Sequence, residues 1–204
     1  MTTYKGIKGF NIQTVSSDPS NPIVGQIWYN STSSIVKYFA SLPEAWSIGG
    51  NLSDKKTFMG GAGTATAGLS IGGNPITPGS PKTNSTEEYN GTAWTAGGNL
   101  TTADAYMAGC GTQTAALSAG GGAVPAATFE YDGSSWTGGG NLNVGRQSLF
   151  GGGTQTAGLV FGGSPTGAPA GIATEEYNGS SWTNGGNLTT SRRYLAGAGT
   201  QTAA

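Results

Sequence analysis

Histidine is absent from this chain, cysteine occurs once, and nine basic residues face ten acidic ones. Without imidazole there is no Ser-His-Asp or Cys-His relay and no imidazole-ligated metal site. We therefore expect no enzyme, no catalytic residue, no metal and no cofactor. Cys110, alone, cannot close a disulfide within the chain; in YMAGCGT it reads as a small buried apolar residue. Scattered cations do not make the clusters that phosphate binding needs, so no nucleic-acid partner is expected. The local pairs Lys55-Lys56 and Arg192-Arg193 read as solvated strand ends. No run of 18 apolar residues occurs, which argues against membrane insertion through a helix. MTTYKGIKGF lacks the apolar centre of a signal peptide, so synthesis in a cytoplasm is expected.

Charged residues make up 9% of the chain, yet disorder is a poor reading, because 9% of residues are aromatic and the net charge is -1. Glycine is abundant at 38 residues but has no G-X-Y period, which excludes collagen. Ordered all-β structure remains.

A repeat is written through the chain: TEEYNGSSWTNGGNL at 174–188, STEEYNGTAWTAGGNL at 85–100, TFEYDGSSWTGGGNL at 128–142 and a remnant PEAWSIGGNL at 43–52. Trp46, Trp94, Trp136 and Trp182 are spaced by 48, 42 and 46 residues. The pairs Gly72-Gly73, Gly120-Gly121 and Gly162-Gly163 are spaced by 48 and 42. Tyr89 to Gly120 and Tyr131 to Gly162 are both 31 residues, whereas Gly73 to Tyr89, Gly121 to Tyr131 and Gly163 to Tyr177 are 16, 10 and 14. Length therefore varies only in loops 74–85, 122–127 and 164–173, which are the expected places for partner contact.

Asn-Gly and Asp-Gly after each Tyr signal a hairpin. A two-residue type I′ loop makes Tyr89 and Trp94 diagonal neighbours; a four-residue loop pairs them directly. A second hairpin turns near Gly-Thr-Gln-Thr, with strands of Gly and Ala that imply close approach of another backbone. Two hairpins per repeat give a four-stranded sheet, and such sheets bury their faces by stacking around an axis. Small residues then belong on the inner strands, and Tyr and Trp between the outer ones. Glu87-Glu88 and Glu175-Glu176 point to opposite faces, so neither is an acid/base pair; both read as surface charges.

The order of an apolar strand, Gly-Gly, loop, Glu-x-Tyr, turn, Trp, Asn-Leu and Arg-Tyr resembles the kelch repeat of β-propellers over roughly residues 43–204. Glu176-Tyr177, Trp182, Leu188, Arg193-Tyr194 and Gly162-Gly163 carry that resemblance. It implies kelch-like four-stranded blades, about three complete and partial at both ends of residues 41–204. The copper oxidases and sialidase-like enzymes with related blades need histidines or arginine clusters that this chain does not supply. Variants of the TEEYNG..W..GGNL type resemble structural proteins of tailed bacteriophages, especially marine ones. Residues 1–40 lack the repeat; GQIWYNSTSSIVKYF reads as a hairpin around Asn30-Ser-Thr-Ser-Ser and resembles small attachment hairpins of phage fibre and tail proteins.

The resemblance implies a non-enzymatic virion structural protein, a tail-fibre or receptor-binding adhesion component. Its partners would be tail or capsid proteins and a host-surface glycan. A capsid decoration protein and a host-type kelch-like interaction module are the alternatives. GTQTAA stops inside a hairpin, and unpaired edges invite association. Either a longer polypeptide or a homo-oligomer is expected to complete the last sheet.

Overall fold

The computed structural model describes residues 12–21, 25–38, 48–165 and 171–203. They are all-β, with strands in several sheets, no helix and no closed barrel. The chain divides into two compact units, Met1–Ile48 and Gly49–Ala204.

In the first unit, β1 (Gln13–Val15) runs parallel to β2 (Ile27–Asn30), which pairs antiparallel with β3 (Ile35–Tyr38). The expected hairpin forms, closed by the pair Asn30 and Ile35. Its protected face carries Trp28 and Asn30, which are buried, whereas Ile27 and Ile35 are exposed. The reason is Asp18, whose Oδ1 accepts from Trp28 Nε1 at 3.0 Å and Asn30 Nδ2 at 2.8 Å. Lys37 Nζ donates to Asp18 Oδ2 at 2.7 Å. With Lys37 first, these donors hold the Asp18 carboxyl at about 2.

Among the described residues the second unit holds one five-stranded and two four-stranded antiparallel sheets. The first is β4 (Lys56–Thr57), β5 (Gly60–Thr64), β6 (Ala67–Pro75), β7 (Thr83–Tyr89) and β8 (Trp94–Ala96), where short β4 pairs the end of β6. The second is β9 (Ala108–Thr112), β10 (Ala115–Ala119), β11 (Thr128–Tyr131) and β12 (Trp136–Gly138). The third consists of β14 (Phe150–Gly153), β15 (Gly158–Phe161), β17 (Thr174–Tyr177) and β18 (Trp182–Asn184). It is joined by a two-residue ladder of β13 (Arg146–Gln147) with β16 (Ser164–Pro165).

The outer hairpins take the four-residue loop. Tyr89 pairs directly with Trp94, Tyr131 with Trp136, and Tyr177 with Trp182. Type I′ does not form, because only the glycine of each Asn-Gly or Asp-Gly has positive φ. The side chain makes the turn instead: Asn178 Oδ1 accepts from the N–H of Ser180 at 3.0 Å and of Ser181 at 2.9 Å. Asn90 and Asp132 do the same.

Small inner strands allow the sheets to approach. β9 lies between β5 and β14, and a Cβ on Gly109 would sit 2.5 Å from Gly61 O. Bulky residues fill the wider outer space, as expected. Trp136 Nε1 donates to Thr86 Oγ1, and Trp182 Nε1 to Thr128 Oγ1, both at 2.9 Å. Tyr131 OH donates to Glu88 Oε1, and Tyr177 OH to Glu130 Oε1, both at 2.6 Å. These four buried aromatics thus each reach a polar partner on the preceding sheet.

The Gly-Gly pairs hold the next repeat. Gly72, Gly120 and Gly162 have φ of 56°, 71° and 64°, in the left-handed region that glycine adopts without penalty. Their successors donate across repeats: Gly73 N to Asp104 O at 2.8 Å, Gly121 N to Arg146 O at 3.0 Å and Gly163 N to Arg192 O at 2.8 Å. Of the repeat positions singled out in the sequence, Trp46 lies outside the described residues.

Candidate recognition face

The segment entering each inner strand places one residue in a strained backbone conformation. Phe58, Tyr106, Ser148 and Tyr194 have φ of 54°, 67°, 58° and 55°. Non-glycine residues there cost about 1–3 kcal/mol each and persist only where neighbours fix them. The neighbours here are one another: Tyr106 N donates to Phe58 O at 2.8 Å, Ser148 N to Tyr106 O at 2.8 Å and Tyr194 N to Ser148 O at 3.0 Å. One residue from each successive repeat forms a backbone chain across the ends of the sheets.

Three of the four carry rings, and the rings meet. Phe58 and Tyr106 stack with centroids 4.3 Å apart; Tyr194 lies 6.2 Å from Phe58 and 6.5 Å from Tyr106. The Arg193 guanidinium stands 5.5 Å from the Tyr194 ring centre, a cation–π distance. A cavity of about 130 Å³ opens among Phe58, Met59, Tyr106, Ser148, Leu149 and Tyr194. Phe58 is 48% and Tyr194 62% exposed.

The variable loops leave the same strand ends. Lys56 pairs with Pro75 where loop 74–85 begins, and Gln147 pairs with Ser164 where loop 164–173 begins. Within that last loop, residues 166–170 lie outside the described residues. Loop 122–127 is bolted down by buried Asp104, whose Oδ1 accepts from Gly122 N at 2.9 Å and Ala123 N at 2.8 Å. Lys82 Nζ, from the neighbouring loop, reaches Asp104 Oδ1 at 3.2 Å.

Two buried ion pairs correct the sequence reading. Glu87, Glu175 and Lys56 are not surface charges: Lys56 Nζ lies 2.8 Å from Glu87 Oε1, and Arg146 Nη1 donates to Glu175 Oε1 at 2.8 Å, all in the interior. The alternation itself holds, since Glu88 faces Tyr131 while Glu87 faces Lys56. Burial works to raise the Glu87 carboxyl, but Lys56 and the Ser53 N–H outweigh it and leave it below its ordinary value. Burial lowers the Arg146 guanidinium against the opposing pull of Glu175. Among the described residues Arg146 Nε and Nη2 have no hydrogen-bond partner.

Among the described residues no three His, Cys, Asp or Glu side chains gather to hold a metal. Cys110 is buried, and burial pushes its thiol up to about 12, so its sulfur is protonated near neutral pH.

The ring cluster went unrecognised in the sequence although its signal was present: Phe58, Tyr106, Ser148 and Tyr194 are spaced by 48, 42 and 46, as the tryptophans are. No family model matches the chain, and no curated protein matches it.

Proposed function

We propose that this chain is a non-enzymatic recognition and structural component of a bacteriophage virion, with its sheets acting as kelch-like propeller blades and its ring-and-loop end as the contact surface. Supporting this is the gathering of three rings, with Phe58 and Tyr194 exposed and Tyr106 half-buried, and of the length-variable loops at one end of a rigid scaffold. Exposed apolar clusters rimmed by polar groups are characteristic of binding surfaces, and recognition is commonly placed on loops held by rigid elements. The repeat phrasing of the sequence supplies the virion reading; tail-fibre or receptor-binding service is the favoured place, with a host-surface glycan or a neighbouring virion protein as partner.

The test compares purified protein with a variant carrying Phe58→Asn, Tyr106→Asn and Tyr194→Asn. Asparagine tolerates left-handed backbone, so the rings go while the fold stays. Adsorption to host cells should fall at least tenfold in the variant. Tight binding to empty capsids without cell adsorption would support a decoration protein instead. Binding to neither would sink the virion reading and favour an interaction module of another kind.

A further inference from the structure

The junctions between the first and second sheets and between the second and third are built from the same atoms at the same repeat positions. Each has a threonine accepting from a tryptophan N–H and a glutamate accepting from a tyrosine hydroxyl. In each, a glycine N–H also donates to that same tyrosine oxygen: Gly98 N to Tyr131 OH at 3.1 Å, and Gly140 N to Tyr177 OH at 3.4 Å. The third sheet carries the same two acceptors and one donor again, as Thr174, Glu176 and Gly186. No hydrogen bond reaches the Thr174 hydroxyl, the Glu176 carboxylate or the Gly186 N–H among the described residues. A Cβ at Gly186 would meet nothing within 4 Å, whereas Gly98 and Gly140 press on the backbone oxygens of Ser134 and Ser180.

Further half-made contacts lie on the same face. Arg192 holds the repeat position of Lys56 and Arg146, which are buried against Glu87 and Glu175; Arg192 is exposed. Residues 196–200 hold the position of an inner strand and pack on β14, with Gly153 N donating to Gly199 O at 3.1 Å, but among the described residues only Ala203 pairs with them, through a single bridge to Thr200. Gln201 already bonds Gly158 O at 3.0 Å and Tyr177 O at 2.8 Å, as Gln113 and Gln155 do at the two complete junctions. A cavity of about 230 Å³ between Phe161, Leu188 and Leu195 stays open, while Leu100 and Leu142, at the repeat position of Leu188, are buried.

We infer that this face of the third sheet is a docking site for one occupant: a three-stranded meander of this repeat's own kind, with Glu-x-Tyr on its middle strand and Trp on its outer strand. Its first strand pairs with residues 196–200. Its glutamate meets Arg192, its tyrosine sits between Glu176 and Gly186 N–H, and its tryptophan donates to Thr174. The inference concerns how repeats join and is independent of which particle the protein serves.

The sequence of residues 69–96 contains the whole set, as Glu87, Tyr89 and Trp94. Ala204 stands in the register of Gly68, so a second copy of residues 69–96 can be appended after it in phase. The fused chain should unfold at a higher urea concentration than the parent, and exchange of the Gly186 amide should slow at least tenfold, to about the rate of Gly98. Thr174→Val with Glu176→Gln should leave the parent's midpoint unchanged, because those groups have no partner there, and should abolish the gain in the fused chain. Changing the added tyrosine to phenylalanine should restore fast Gly186 exchange. A fused chain no more stable than the parent would overturn the inference, and so would a gain indifferent to Thr174, Glu176 and the added tyrosine, which would mean nonspecific edge pairing.

Discussion

At the repeat position held by Lys56, Asp104 and Arg146, the sign of charge follows what lies opposite. Lys56 and Arg146 face Glu87 and Glu175. In the second repeat the carboxylate position is Phe129, and the cation has become Asp104, which turns to backbone N–H groups of loop 122–127 instead. A buried charge that loses its partner costs about 3–5 kcal/mol, whereas replacing both partners with apolar residues is often nearly neutral. Arg146→Ala should therefore lower unfolding stability by about 3–5 kcal/mol, measured in urea, and Arg146→Met combined with Glu175→Leu should lower it far less. The two unpartnered nitrogens of Arg146 strengthen that expectation. The sequence showed that adjacent glutamates point oppositely; it did not show that both directions are covered. Alternation assigns a residue to a face, but only stacking decides whether that face meets water.

The outer hairpin is the element most readable from sequence, because Asn-Gly and Asp-Gly limit the chain to few turns. Its register was not readable, since two loop lengths place both rings on one side. The choice rests on side-chain acceptance: the Asn178 oxygen satisfies two backbone N–H groups that a tighter turn would pair with carbonyls. Asn178→Ala should cost about 1 kcal/mol, as loss of a comparable side-chain cap does. Asn178→Asp should be nearly neutral, since Asp132 performs the same task. Chemical denaturation of the two variants side by side is the measurement. Parallel β1 had no such local signal; it depends on Asp18 reaching side chains 10 and 12 residues away.

Across the whole repeat run, the recurrence of Tyr, Trp and Gly-Gly was enough to infer several stacked sheets with rings between them, because equal spacing means equal environment. The ring cluster was harder to see, since no single repeat contains it. Tyrosine ionisation should report the stacking directly. Burial, with Glu88 and Glu130 beside them, pushes the Tyr131 and Tyr177 hydroxyls up to about 12. Their contribution is fully present below the unfolded value near 10 and is lost as pH rises towards 12, because the unfolded chain gives up those protons first. The urea midpoint should fall over that window. The fall should shrink in a Tyr131→Phe, Tyr177→Phe variant, which is weaker at neutral pH but flatter in alkali; identical slopes would refute the assignment.

Phe58 and Tyr194 belong to the first and last of the four successive segments that form the backbone chain, yet their rings approach to 6.2 Å. A straight pile of sheets would carry them steadily apart. The turn from each sheet to the next is consequently constrained by a meeting between the extremes of the run, in the way a keyed washer fixes the pitch of a screw. A residue gained or lost inside the 31-residue constant stretch would throw that meeting out of step. One gained in the surface loops would not, in keeping with the unequal lengths of those loops beside the equal 31-residue stretches.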